Sequence, residues 1–286
     1  MEGILKKTDT LNARQFTIAI RKLADSLCYG TDSSPFLGSG TEYVQSRQYI
    51  PGDPIRSIDW RVTARTNRYH VKEYETPKQM PCYLLIDTSA SMTIASRARS
   101  KYALAVHLCG GLALACLDRV SPVGIVGVGE DDIRFPPSLS RDQILQWLHR
   151  LRHYDYHQQT SIARKLVEVS MSLHTKALII ILSDLNEKGC LTAIKRAGQE
   201  HDCAVIQLTD PAEISIPRAG FLRTREAESG LSFISRGKNL GVNQGEITST
   251  LKRGGIDHLQ LFTDQPYSHA LRNFFKSRGI LGRGAR

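Results

Sequence analysis

The stretch 177–184, ALIIILSD, constrains this chain more than any other. A strand with one wet face alternates apolar and polar residues. An unbroken apolar run has no side to offer water and needs cover on both faces. It is also far too short to cross a bilayer. Three further runs behave alike: CYLLID at 82–87, VGIVGVG at 123–129 and CAVIQLTD at 203–210. Helical spacing fills the gaps, over 97–117 (Ala98, Tyr102, Ala105, Leu108, Leu112, Ala115), 141–152, 160–173 and 187–201. Buried strands alternating with helices predict an α/β fold, a doubly wound and mostly parallel sheet with helices on both faces. Ligands of such sheets gather beyond the carboxyl ends of the strands.

The flanks read differently. Residues 11–29 carry Leu11, Phe16, Ile20, Leu23 and Leu27 at helical spacing, and GTDSSPFLGSG at 30–40 is a turn-rich linker. Residues 41–80 read as a mostly extended segment broken by a turn at Pro51-Gly52-Asp53, with a strand at His70–Tyr74. The expected division is therefore 1–80, a helix plus a segment packing on the sheet domain, and 81–286, the α/β domain with a C-terminal extension. That extension contains a strand pair within 216–237, a helix at 244–253, a strand at 258–264 and a helix at 268–278.

The strand ends carry the chemistry. Asp87, Ser89 and Ser91 alternate directly after CYLLI. Asp184 closes ALIIILSD on the same predicted edge, and Thr160 opens a helix after a loop. Two carboxylates and three hydroxyls are hard oxygen donors. They suit Mg²⁺, with Mn²⁺ or Ca²⁺ as alternatives, and leave a position for an acidic group from elsewhere. A capped turn uses the same residue types, so D-x-S-x-S alone is weak. Together, Asp87, Ser89, Ser91, Thr160 and Asp184 resemble the metal-ion-dependent adhesion site of von Willebrand factor type A domains. The resemblance implies a Rossmann-like fold and a metal completed by a partner's Glu or Asp. Gln159 stands where that family usually has glycine, and Ser183 where it usually has threonine; Ser161 is an alternative to Thr160.

The preceding segment is more specific. Gly38, Gly40, Glu42, Arg47, Tyr49, Gly52, Asp53, Arg56, Ile58, Asp59, Trp60, Ala64 and Arg65 resemble the hallmark of the bacterial domain of unknown function 58 family, with Pro54 where an acid is common. The resemblance runs from about residue 20 to 275. It implies a von Willebrand A-like domain directly afterwards and a MoxR-type AAA+ ATPase as partner, with this chain as a non-enzymatic adaptor or co-chaperone acting on client proteins. Read physically, Asp53, Arg56, Asp59, Arg61 and Arg65 form an ion-pair network and Trp60 is an apolar anchor. The plain reading is packing against the sheet domain. The functional one is a partner surface made by Arg47, Tyr49, Asp53, Arg56, Asp59, Trp60 and Arg65.

Other signals bound the alternatives. Six cysteines without a CxxC pair read as core hydrophobes in a reducing compartment rather than a zinc site. MEGILKKTDTLNARQF lacks the apolar core of a secretory signal, so the expected location is the cytoplasm. The formal charge of +10 favours acidic partners and leaves a nucleic-acid or anionic-surface binder as the alternative. Against it, aromatics make up 7% and do not interleave with a basic stripe. His149, His153 and His157 share helical spacing, but the helix is expected to end near Tyr154, giving a solvated end rather than a metal site. A metal-dependent hydrolase lacks an evident base. Asp87 as a phosphorylated nucleophile lacks a second acid at position 89. Neither a Gly-x-Ser-x-Gly elbow nor a Walker loop is present, and no enzyme is expected.

Overall fold

Six strands form the central sheet in the order β10-β7-β6-β3-β4-β5. These are β3 (Cys82–Ile86), β4 (Val123–Gly127), β5 (Arg134–Ser138), β6 (Leu178–Ser183), β7 (Asp202–Thr209) and β10 (Asp257–Phe262). Every neighbouring pair is parallel except β4 and β5. The computed structural model describes residues 12–28, 42–53, 55–75, 80–93, 95–97, 99–129, 131–153, 160–214, 221–225, 232–236 and 244–278. Gly38, Gly40, Pro54, His157 and Gln159 lie outside them.

The unbroken apolar strands divide their side chains between two cores, as period-two alternation requires. Leu84, Ile86, Leu178, Ile180, Leu182, Ala204 and Ile206 face one helix layer. That layer comprises α1 (Ala13–Cys28), α3 (Lys101–Leu117), α4 (Arg141–Arg152) and α9 (Ser268–Arg278). Leu85, Ile179, Ile181, Cys203 and Val205 face the other. It comprises α5 (Ile162–Ser172), α6 (Cys190–Glu200) and α8 (Gln244–Arg253). The mixed α/β sheet with helices on both faces is thus present, and α3 is buried along nearly its whole length. Cys82, Cys109, Cys116, Cys190 and Cys203 are free and buried in these cores.

The chain divides into two units, one of residues 1–29 with 80–286 and one of residues 30–79. Helix α1 therefore goes with the sheet, across the division drawn at residue 80. The reason is its fit on α3. A Cβ on Gly110 would lie 2.7 Å from Ile20 Cγ2, and one on Gly111 2.5 Å from Leu23 Cδ2. Only a glycine pair lets the two helices approach so closely.

The small unit pairs β1 (Glu42–Gln48) with β2 (His70–Glu75) antiparallel. Between them lies α2 (Trp60–Thr66), where the sequence read as extended. Asp59 starts it, its carboxylate accepting from the Arg61 and Val62 amides. Asn67 ends it in the left-handed region at φ 58°. Further along, α3 starts at Lys101 rather than near 97, because Ser100 caps it and accepts from the Ala103 amide. Strand β5 and the short helix α7 (Pro211–Ile214) are additions to the sequence reading. The strand pair after Pro211 is present as β8 (Phe221–Arg225) and β9 (Ser232–Arg236), antiparallel to each other. Helix α4 ends at Arg152, as expected. His153 is exposed there, but His149 is half-buried with its ring 5.9 Å from that of Phe16, so it belongs to the core margin and not to solvent.

Candidate metal centre

Strand β3 extends one residue past its last pair, with the Asp87 amide donating to the Leu182 carbonyl of β6 at 2.9 Å. This fixes Asp87 beside the end of β6. Its carboxylate then turns the chain: Oδ1 accepts from the Ser89 amide at 3.1 Å, and the Met92 amide donates to the Ser89 carbonyl at 3.2 Å. Met92, fully buried, anchors this tight turn in the core.

Both strand ends meet here. Ser183 Oγ donates to Asp87 Oδ2 at 2.6 Å and accepts from the Leu185 amide at 2.9 Å. Ser91 Oγ donates to Asp184 Oδ2 at 2.9 Å, and the Ser89 and Ser91 hydroxyls lie 3.0 Å apart. Leu185 adopts φ 63°, an unusual conformation for a branched apolar residue. It sits buried directly after Asp184, whose Oδ1 accepts from the Asn186 amide at 3.3 Å.

The structure thus brings Asp87, Ser89, Ser91 and Asp184 into one hydrogen-bonded cluster at the carboxyl edge of the sheet. Thr160 is half-buried at the start of the segment leading into α5. Its neighbour Ser161 is tied to the end of β4, with the amide donating to the Val128 carbonyl at 2.8 Å and Oγ to the Gly129 carbonyl at 2.7 Å. The Ser161 proton is therefore committed to the backbone. Ser161 leaves the first turn of α5 uncapped, and Glu187 performs that task across the loop, accepting from the Ile162 amide at 2.5 Å.

Three charged residues absent from the sequence reading complete the edge. Lys101, the first residue of α3, is fully buried. Its Nζ donates to Asp184 Oδ2 at 2.7 Å and to Glu213 Oε1 of α7. Asp210 directly follows β7 and holds the Ser96 amide at 2.9 Å. The Asp210 amide in turn donates to Glu213 Oε2 at 3.1 Å.

The two central carboxylates are not equivalent. Asp184 has the Lys101 ammonium. Asp87 is fully buried, and its partners among the described residues, the Ser183 and Ser89 hydroxyls and the Ser89 amide, are uncharged. Burial, reinforced by the nearby Asp184 charge, pushes the Asp87 carboxyl up to about 7, against those hydrogen bonds. Burial alone would lower the Lys101 ammonium, but Asp184 and Glu213 outweigh it and raise it. Burial raises Glu213, against the pull of Lys101. This donor set fits a hard divalent cation: two buried carboxylates, the buried Ser89 hydroxyl and the half-buried Ser91 hydroxyl, with one carboxylate lacking a counter-charge among the described residues.

The hallmark segment resolves otherwise than expected. Arg47 pairs with Asp53 through both nitrogens, each at 2.7 Å, and Asp53 Oδ2 also holds the Ile50 amide at 2.9 Å. This spans the turn at Gly52, whose φ of 113° favours glycine. Arg47 holds the Asp53 carboxyl down at about 2. Asp59 is committed to the α2 cap and to Ser46 Oγ at 2.7 Å, the chief cause of its lowered pKa. The expected network of Asp53, Arg56, Asp59, Arg61 and Arg65 is therefore replaced by one bidentate pair and one cap. Among the described residues, Arg56, Arg61 and Arg65 stand exposed without an acidic partner. Trp60, the first residue of α2, is 63% exposed and is not the apolar anchor expected. Tyr49 is half-buried, its ring edge-on to Tyr69.

Comparison with known proteins follows these features. Residues 45–245 match the family model described as "Protein of unknown function DUF58". "Uncharacterized protein Rv1480" of Mycobacterium tuberculosis and "Uncharacterized protein Mb1516" of Mycobacterium bovis are each 22% identical over 279 residues, covering 93% of this chain and 88% of the relative. Among solved structures, the conserved hypothetical protein BatB from Bacteroides thetaiotaomicron matches 69% of this chain and 98% of its own, at 18% identity and TM-score 0.49. An aerotolerance-related membrane protein from Bacteroides fragilis matches 69% and 97%, also at 18% and 0.49. Among the described residues of the present chain, no helix is long and apolar enough to cross a membrane.

Proposed function

We propose, starting from the fact that this chain belongs to the DUF58 family of proteins of unknown function, that the carboxyl edge of its sheet is a divalent-cation site used to bind another protein. In this reading the large unit is a von Willebrand A-like domain. Asp87, Ser89, Ser91, Thr160 and Asp184 hold Mg²⁺, or Mn²⁺ or Ca²⁺, and a Glu or Asp of the partner completes the coordination. The observation that carries it is Asp87, a fully buried carboxylate with no charged partner among the described residues, beside a second buried carboxylate. A bound dication relieves that deficit, and an acidic partner group then reaches the ion itself through an open coordination position.

The partner class follows from the family resemblance: a MoxR-type AAA+ ATPase, with this chain as a non-enzymatic adaptor in the cytoplasm. The small unit supplies a second contact in this reading. Exposed Trp60, Ile55, Arg56, Arg61 and Arg65 combine apolar area with cations that have no acidic partner among the described residues. In this reading that combination meets an acidic protein surface, the aromatic and isoleucine supplying apolar contact and the arginines the charge.

The test is retention of a MoxR-type ATPase from the same genome on the immobilised chain, with Mg²⁺ or with chelator. Wild type with Mg²⁺ should retain it, while chelator or Asp87→Ala should release it. Equal retention in all conditions would move the contact to the small unit and remove the metal bridge.

A further inference from the structure

Lys101 is badly placed by ordinary criteria. It is fully buried, which a lysine side chain resists, and it stands at the first position of α3, where the helix dipole disfavours a cation. Nothing in the packing of α3 demands an ammonium there. Its two partners do: Asp184 Oδ2 at 2.7 Å and Glu213 Oε1. Asp184 Oδ2 also accepts from Ser91 Oγ, so the ammonium and a cluster hydroxyl share one carboxylate oxygen.

We infer that Lys101 is the protein's own counter-cation at the Asp87–Asp184 pair, and that it sets how tightly a divalent ion binds by competing with it for Asp184. This deepens the cation-site reading and rests on it. Glu213 is the second receptor for the ammonium. It sits on α7, partly exposed, and is joined to the end of β7 through the Asp210 amide. When a dication draws on Asp184, Glu213 keeps the ammonium paired rather than stranded. Lys101 thus acts as a positioning residue: it orients Asp184 and tempers its charge. The consequence is a site of moderate affinity, one that an acidic partner group can tip towards full occupancy.

The experiment is Mn²⁺ binding to the full chain, followed by the loss of free-ion electron spin resonance signal and by calorimetry, with circular dichroism as the check on folding. Lys101→Met removes a positive charge beside the ion and should tighten Mn²⁺ by on the order of tenfold. Glu213→Gln removes a negative charge and leaves the whole ammonium on Asp184, so it should weaken Mn²⁺ several-fold. A merely structural role predicts weakening in both, and that result overturns the inference, as does a folded Lys101→Met variant with unchanged affinity. If Lys101→Met fails to fold, Glu213→Gln decides alone, and unchanged affinity there is fatal. Wild type that is silent while Lys101→Met binds would support the counter-cation and remove the metal from the native protein. Silence in both folded proteins would overturn both readings.

Discussion

Asp53 in the small unit and Asp87 at the sheet edge are both acids beside a turn, and they end in opposite electrostatic states. Asp53 is gripped by Arg47 through two nitrogens and by the Ile50 amide, and its carboxyl is held down at about 2. Asp87 is buried among uncharged donors next to another acid, and its carboxyl is pushed up to about 7. The first acid is fully satisfied by its own chain, so its role is to shape a turn. The second is satisfied only by taking up a proton or by gaining a cation from outside. The difference separates an acid neutralised by its own chain from one that carries an uncompensated charge, the kind of group found at functional sites.

The sharpest contrast lies between Asp184 and Asp87 themselves. Asp184→Ala leaves the buried Lys101 ammonium with Glu213 alone. Urea unfolding at pH 7 in chelator should show a loss of about 3 kcal/mol or more. Asp87→Asn removes a buried charge that has no counter-ion. The same measurement should show no loss, or a gain, while Mn²⁺ binding disappears. Comparable destabilisation by both variants would mean that Asp87 has a cationic partner in solution, and the comparison would break.

pH separates the two acids next. The folded value of Asp87 lies above its ordinary 3.8, so the folded state holds the proton more tightly than the unfolded state. Its contribution is complete below about pH 4 and lost as pH rises through 7, amounting to on the order of 4 kcal/mol over that interval. Asp53 and Asp59 are lowered, so their contributions are present above the ordinary carboxylate range and lost as pH falls through their folded values. Subtracting the pH–stability curve of Asp87→Asn from that of wild type, in chelator, should isolate the fall between pH 4 and 7. Saturating Mg²⁺ should flatten it. A difference curve without slope would remove the charge deficit at Asp87.

How far the residues foretell this depends on which force placed them. Strands β3, β4, β6 and β7 are legible because burial on both faces leaves an unbroken apolar run. Edge strand β5 is not, since RFPPS is largely exposed and carries two prolines that suit only an edge. Helix α2 is hidden because its seven residues bury nothing fully and depend on Asp59 and Asn67 at its ends. Asp87, Ser89, Ser91 and Asp184 could be placed together because parallel strands deliver their ends to one edge. Lys101 and Glu213 could not. A lysine before an apolar helix reads as solvated, and only the Ser100 cap turns it inward at the first position. Glu213 sits on a four-residue helix with no periodicity to reveal it.

The smallest expected effect on stability is the one that tests the exposed surface of α2. Trp60 is 63% exposed and makes α2's first turn without covering the hydrophobic contents of its own unit. Trp60→Ala should therefore shift the unfolding free energy by less than about 0.5 kcal/mol. It should also leave Mn²⁺ binding unchanged, since the residues of the proposed ion site all belong to the other unit. What it should change is retention of the ATPase in Mg²⁺, because in the proposed contact this large exposed aromatic among exposed arginines packs against the partner. A clear loss of stability instead would mean that Trp60 is covered within the chain in solution, which would return this segment to a purely structural role.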